Sequence, residues 1–301
     1  MRYMIVDVGS NTVKYDVFSV SGNKKLKKEG HGTRPVRLLA RIKDGVLTPE
    51  GMDLLCDTLS AYRKEAQEKN CGRFEVFATA GVRKIADPAA ALDEVKTRTG
   101  IGVRLLSGEE EAACSFRGML LTLKKPPRRG MMLDMGGGST EFNFFEEKTS
   151  KWLCSRPFGV VSVRLALGLK HTLTKDDKAR VTEYVRAYLP EKAFEFSRCA
   201  ENAVLIGGTA KAISRLAGLF LGVRDEKKLS GEEFFALRDF LCTVSDEQYE
   251  LIKQLCPDRH ELMAAGTTAF SAIFEALGTK KVYICSGGIR EGYLSLLEDN
   301  G

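Results

Sequence analysis

Asp7-Val8-Gly9-Ser10-Asn11-Thr12 near the start of the chain and Asp134-Met135-Gly136-Gly137-Gly138-Ser139-Thr140-Glu141 near its middle are two turns of nearly one design. Each follows a short apolar run, Met4-Ile5-Val6 and Met131-Met132-Leu133. Each leads into alternation, through Val13, Tyr15 and Val17 in one case and Phe142 and Phe144 in the other. A period of two beyond a glycine-rich turn predicts strand, turn, strand, so both stretches read as hairpins with an acidic residue where the first strand ends. Glycine admits positive φ and close backbone approach, so successive N–H groups can converge on an anion. Ser10, Thr12, Ser139 and Thr140 add hydroxyls, and Asp7 and Asp134 can reach a hard cation, with Glu141 a third candidate. Two such cradles predict a phosphate-rich ligand gripped from both sides.

The rest of the composition narrows the class. A chain of 301 residues suits two domains of about 150 residues each. Its hydrophobic content of 44% supports a sizeable core. No run approaches the roughly 18 apolar residues of a membrane span, and the N-terminus enters a strand without a signal-peptide pattern. The expected location is cytoplasmic. Cys56, Cys71, Cys114, Cys154, Cys199, Cys242, Cys256 and Cys285 form no Cys-x-x-Cys pair, and they are predicted to be reduced, buried and structural. His31, His171 and His260 stand isolated, which argues against a Cys/His metal site. The net charge of +6 gathers in Lys24, Lys25, Lys27 and Lys28, in Arg34, Arg37 and Arg41, and in Lys124, Lys125, Arg128 and Arg129. A solvated loop explains each run, while a positive surface favours an anionic partner. No aromatic-studded basic stripe points to specific nucleic-acid reading.

Strands and helices alternate along the chain. Thr48-Pro49 opens a helix to about Lys69, and a strand over Phe74 to Ala78 leads into Thr79-Ala80-Gly81-Val82-Arg83. A helix follows from Ala89 to Thr97, then a strand over Val103 to Leu106. Ser107 starts a further helix reaching Leu123. Lys124 to Gly130 reads as a linker and places a domain boundary. Beyond it, Ala203 to Ile206 is a strand ending in Gly207-Gly208-Thr209 and a helix. Ser230 and Glu233 have capping-box spacing, and strand Val282 to Cys285 precedes a last helix from Ile289.

Common phosphate chemistries can be eliminated one by one. No Walker A loop is present. Gly136 and Gly138 fit the start of a dinucleotide fingerprint, but Glu141 occupies its last position and a strand follows. No cysteine has the Arg spacing of a cysteine phosphatase; Arg290 falls one residue short of it after Cys285. What remains is carboxylates, backbone amides, Arg and a divalent cation.

Asp7 to Thr12, Asp134 to Glu141 and Ile206-Gly207-Gly208-Thr209 resemble the two phosphate motifs and the adenosine motif of the actin and sugar-kinase superfamily. Ala78 to Arg83, Ser107 to Ala112 and Ser286-Gly287-Gly288-Ile289-Arg290-Glu291-Gly292 follow in matching order. With them the chain resembles the exopolyphosphatase/guanosine pentaphosphate phosphohydrolase (Ppx/GppA) family over nearly its whole length. The resemblance implies an α/β fold of two actin-like (ribonuclease H-like) domains, with mixed sheets and a cleft between them. Residues 1–124 would form domain I, with helix 289–301 packing back on it, and 125–288 domain II, the short form of the family. The implied activity is hydrolytic release of terminal phosphate from polyphosphate or pppGpp with Mg2+ or another divalent cation. The partners expected are polyphosphate or guanosine penta- or tetraphosphate, with a homodimer allowed, no specific nucleic acid and no membrane. Leu39-Ala40 departs from the family's Gly-Glu after Arg37-Leu38, and Glu261 stands for its usual Asp.

Within Glu109-Glu110-Glu111, acids at a helix start favour the macrodipole. Ser107-x-x-Glu110 has capping-box spacing, which occupies Glu110. That leaves Glu111, which also matches the family's catalytic glutamate, to orient and deprotonate water. Arg83, at a strand end, offers a guanidinium fork for phosphoryl oxygens. Gly9, Ser10, Asn11, Thr12, Gly136, Gly137, Gly138, Ser139, Thr140, Gly207, Gly208 and Thr209 are the expected substrate contacts, and Asp7, Asp134 and Glu141 the expected metal ligands. Arg290-Glu291 fits the last motif and helix-start packing equally. Two competing functions stay open: an ATP-dependent kinase of the superfamily and a non-catalytic sensor of polyphosphate or ppGpp.

Overall fold

The computed structural model describes residues 1–22, 25–196, 201–225 and 227–300. Lys24, assigned to a basic run, and Cys199, assigned to the buried thiols, lie outside them. Contacts divide the chain into two compact units, Met1–Glu111 with Tyr293–Gly301, and Ala112–Gly292.

In the first unit, β1 (Arg2–Val8) and β2 (Val13–Val20) are the expected hairpin, in register from Arg2 opposite Ser19 to Val8 opposite Val13. β3 (Leu26–Arg34) extends the meander on the far side of β2. After a 3-10 turn over Leu38–Arg41, β4 (Ile42–Lys43) and β5 (Val46–Leu47) form a small ribbon. α1 (Pro49–Glu68) starts as its sequence requires: the Thr48 side chain accepts from the Gly51 amide at 3.2 Å, and Pro49 fills the first position. β6 (Arg73–Ala78) pairs parallel with β1, and α2 (Ala80–Arg83) and α3 (Pro88–Thr99) lead to β7 (Arg104–Leu105), parallel to β6. The sheet order is β3-β2-β1-β6-β7. Met4, Val6, Val8, Val13, Tyr15 and Val17 on one face join Leu55, Leu59 and Tyr62 of α1 and Val95 of α3 in a single core.

α4 (Gly108–Thr122) carries the chain from the first unit into the second. β8 (Arg129–Met135) and β9 (Thr140–Glu146) are the second hairpin, and β10 (Thr149–Arg156) continues its meander. α5 (Val160–Leu167), α6 (Lys175–Tyr188) and α7 (Glu191–Glu195) follow, then β11 (Asn202–Ile206), parallel to β8, and α8 (Gly207–Leu221). β12 (Lys228–Ser230), α9 (Gly231–Cys242), α10 (Asp246–Leu255) and α11 (Met263–Leu277) precede β13 (Lys281–Ile284) and α12 (Ile289–Asn300). The sheet order is β10-β9-β8-β11-β13-β12. α11 is buried almost from end to end and packs against α5, α6, α8 and α9, forming the centre of this unit's helical layer. The Ser230–Glu233 capping box forms with both its hydrogen bonds, at 3.1 and 2.7 Å.

Each unit therefore begins with an antiparallel hairpin, adds a third antiparallel strand on one side and two parallel strands on the other, where the second unit ends with the short antiparallel β12. That is the mixed α/β sheet of an actin-like, ribonuclease H-like domain, built twice. Each sheet places its glycine-rich turn at the C-terminal end of the hairpin's first strand, beside the turns that leave β6 and β11 for helices.

Candidate active site

The two glycine-rich turns close alike. The Gly9 amide donates to the Thr12 carbonyl at 3.2 Å, and the Gly136 amide to the Ser139 carbonyl at 3.0 Å. Each turn also has two carbonyls tied back by a neighbouring segment. In the first, Ser10 and Asn11 carbonyls accept from the amides of Leu39 at 3.0 Å and Arg37 at 2.7 Å. In the second, the Gly136 carbonyl accepts from Val160, and that of Gly137 from Val161 and Ser162, all at 3.0 Å. A trans peptide is planar, with its C=O and N–H pointing opposite ways. Anchoring those carbonyls therefore turns the N–H groups of Asn11 and Thr12, and of Gly137 and Gly138, away from the anchoring segments. This is how a turn becomes an anion cradle.

Two other glycines brace these turns from behind. A Cβ on Gly81, in the Thr79–Arg83 segment, would lie 2.8 Å from Ser10 Cα. A Cβ on Gly159, which precedes α5, would lie 2.5 Å from the Gly136 carbonyl oxygen. Any side chain at either place would push its turn out of shape.

Arg83 ends α2 and Glu111 stands in the first turn of α4, and the fold joins them. Arg83 Nη2 donates to Glu111 Oε2 at 2.7 Å while Nη1 donates to the Leu106 carbonyl at 2.8 Å. A guanidinium has donors left over after these bonds. Glu111 is buried. Glu110 is occupied elsewhere: Ser107 Oγ accepts from its amide at 3.1 Å, its carboxylate accepts from the Ser107 amide at 2.8 Å, and Arg104 donates to it at 2.6 Å. The Ser107 backbone bond, aided by Arg104, holds the Glu110 carboxyl below the ordinary range.

Asp134 and Glu141 are opposite each other across β8 and β9. Ser115 Oγ on α4 donates to Asp134 Oδ2 at 2.6 Å, and Ser155 Oγ on β10 donates to Glu141 Oε1 at 2.8 Å. Glu141 is 1% exposed. Like charges in facing positions repel, more strongly where water is excluded. A divalent cation would turn that repulsion into binding. The donors present are all oxygens, carboxylates backed by hydroxyls, which suits a hard cation that keeps part of its water shell. Asp7, the third expected ligand, has Lys14 opposite it in the register of β1 and β2, where the second hairpin has Glu141. Among the described residues no group of three or more His, Cys, Asp and Glu is placed to hold a metal. The oxygen donors therefore fit a Mg2+ whose remaining ligands are water and phosphate rather than a closed protein cage.

α8 begins at Gly207 itself, whose φ of 94° is open to glycine alone at little cost. Thr209 is buried in its first turn. The Arg259 guanidinium lies against Gly208, with three atoms 2.4 to 2.5 Å from where a Cβ would be. Burial pushes the Arg259 pKa down, with Asp258 opposing the shift, and its guanidinium makes no hydrogen bond among the described residues. Arg259 is absent from the contacts expected from the sequence, since nothing local shows a distant loop returning to a glycine pair. Ser115 and Ser155 were missed for the same reason.

The described cysteines are all free. Burial pushes the thiols of Cys56, Cys71, Cys242, Cys256 and Cys285 up, away from nucleophilic use. His171 and His260, far apart in the sequence, both meet Tyr249. His171 stacks on Tyr249 with ring centroids 3.9 Å apart, and Tyr249 Oη lies 2.7 Å from His260 Nδ1. Sequence spacing hid a meeting made by α10 packing beside the His260 turn.

Comparison with known proteins gives the family and the fold. The profile of the Ppx/GppA phosphatase family matches residues 24–300. The chain is 26% identical to exopolyphosphatase 1 of Mycobacterium tuberculosis, over 98% of this chain and 87% of that protein. It is 25% identical to the guanosine-5'-triphosphate,3'-diphosphate pyrophosphatase of Vibrio atlanticus, over 96% of this chain and 58% of that one. Among solved structures, an exopolyphosphatase from Cytophaga hutchinsonii has the same fold, with a TM-score of 0.88 and 19% identity, covering 100% of this chain and 98% of the other. The Aquifex aeolicus Ppx/GppA family member follows with a TM-score of 0.80 and 23% identity, over 100% and 99%. The repeated sheet, the paired amide turns and a family profile spanning most of the chain together make this protein a hydrolase belonging to the Ppx/GppA phosphatase family.

Proposed function

We propose that this chain removes the terminal phosphate from inorganic polyphosphate, with pppGpp as the second substrate of the same chemistry. The observation that carries the reading is the pair of matched turns, each with carbonyls tied back and amides turned outward. Such donors suit phosphoryl oxygens, whose charge develops during transfer, and need no reorganisation as it does. Arg83 in the first unit and Arg259 in the second each add guanidinium donors suited to phosphoryl oxygens. The similarity to exopolyphosphatase 1, which covers most of both chains, supports polyphosphate as the first substrate.

The reaction is in-line attack of water on the terminal phosphorus. The water oxygen forms the new P–O bond, the bridging P–O bond breaks, and the shortened chain leaves with the electron pair. Glu111 accepts the water proton, and the Arg83 hydrogen bond holds its carboxylate in one orientation. Asp134 and Glu141 would hold Mg2+, which when bound neutralises phosphate charge. The outward amides of each turn are suited to bind and orient phosphate oxygens.

The test is phosphate release from polyphosphates of graded length, pppGpp and ATP, with and without EDTA. Release from polyphosphate that EDTA abolishes is the expected outcome. Tight polyphosphate binding without release would establish a sensor, and turnover of ATP only with an acceptor alcohol would establish a kinase.

A further inference from the structure

Asn143 lies on β9 two residues beyond Glu141, so both side chains leave the same face of the sheet. That face is the one covered by α4: Phe145, the next residue on it, packs with Phe116 and Met119, and Ser115 reaches Asp134. Asn143 is 0% exposed, with Met132 opposite it on β8 and Leu153 opposite it on β10. Neither Nδ2 nor Oδ1 of its side chain has a hydrogen-bond partner. An amide buried this way loses its hydration with nothing in return, and an apolar residue would serve the packing better. Buried polar atoms without protein partners are the usual hosts of internal water.

Which group shares that water follows from the strand. Residues two apart on one face are separated by about 6.6 Å along the chain. Asn143 makes no direct hydrogen bond to any of these neighbours, and one water molecule with two hydrogen bonds can join polar groups at successive positions on one face. The polar neighbour on the same strand and face is Glu141, whose Oε1 is already fixed by Ser155.

We infer that Asn143 and Glu141 share a buried water, and that this water makes Asn143 the positioning residue of the Asp134–Glu141 cation site. The Asn143 amide donates to the water, and the water donates to the Glu141 carboxylate. The bond stiffens the carboxylate from the side away from the turn. The inference rests on the cation reading above, because a carboxylate needs such outer support only if its orientation matters to a ligand. Outer partners of metal-binding carboxylates typically change affinity by about 10–100-fold when removed.

The experiment compares Asn143→Val with Asn143→Thr, side chains of one shape that differ by a hydroxyl, against wild type and Glu141→Gln. Mn2+ alone is titrated into each protein and bound ion read by electron paramagnetic resonance, with melting temperature in EDTA confirming that each variant folds. Expected are a roughly tenfold or greater loss of Mn2+ affinity for Asn143→Val and recovery to within about threefold of wild type for Asn143→Thr, which can still hold a water. Asn143→Val within twofold of wild type while Glu141→Gln loses binding would overturn the role of Asn143 and leave the cation site standing. Equal Mn2+ binding by wild type and Glu141→Gln would overturn both.

Discussion

The two hairpins share their closing hydrogen bond and their tied-back carbonyls, and they part seven residues after the aspartate. There the first hairpin has Lys14 facing Asp7, and the second has Glu141 facing Asp134. One backbone thus serves two electrostatic purposes. The first places a lysine opposite its aspartate, whereas the second places two acidic residues opposite each other, the pair proposed above to hold a cation. The units also differ in what sits near their turns. The first carries the Arg83–Glu111 pair, and the second carries the buried guanidinium of Arg259 against Gly208. The same hairpin is built twice, and the two copies differ at the single position that faces the aspartate.

The largest expected effect isolates the base. Glu111→Gln should lower kcat by about 10²–10⁴ while polyphosphate binding stays near wild type. A variant with wild-type turnover would remove Glu111 from the reaction and with it the special role of the first unit.

The asymmetry of the hairpins is tested next. Glu141→Lys makes the second turn copy the first and should reduce Mg2+-dependent phosphate release by roughly tenfold or more. Asp134→Asn should raise the Mg2+ concentration needed for half activity far more than Asp7→Asn does. Equal shifts in the two aspartate variants would mean that the facing residue does not decide where the cation goes.

Smaller effects should follow from the bracing glycines. Gly81→Ala and Gly159→Ala should each destabilise by about 1–3 kcal/mol. Gly159→Ala should cost more, because its Cβ would meet three backbone atoms at 2.5 to 2.7 Å, against a nearest approach of 2.8 Å at Gly81. Melting temperatures decide the order, and a rise in KM for polyphosphate in both variants would tie the bracing to the cradles.

The smallest effect separates Glu110 from Glu111. The folded-state pKa of Glu110 is depressed below the ordinary 4.5, so its contribution is present above that value and is lost as pH falls through the folded pKa. Glu110→Ala should lower the melting temperature by about 2–4 °C at neutral pH, the effect of one helix cap. The gap to wild type should close below pH 4.5, and kcat should stay close to normal. A gap that persists unchanged into acid would show that the capping bond is not its source.

The parts of this molecule that were legible in the sequence are local ones. Strand alternation and glycine placement predicted both hairpins, and side chains three residues apart predicted the caps at Ser107 and Ser230. The facing residues were legible too: Lys14 and Glu141 occupy the same offset from their aspartates, so the hairpin register would have revealed the contrast. The short strand β7 was read two residues too long, because tertiary pairing and not propensity ends it.

By itself, then, the sequence determined two glycine-rich hairpins, the carboxylates at their strand ends and a glutamate left over at a helix start. All of these depend on residues within a few positions of one another. Only the tertiary structure decided that Arg83 holds Glu111 across 28 residues, that Ser115 reaches Asp134 across 19, and that Arg259 comes to rest on Gly208. Those contacts depend on which strand lies beside which and how helices cross the sheet. Core packing sets that arrangement through many weak contacts at once, and no short stretch of sequence contains it.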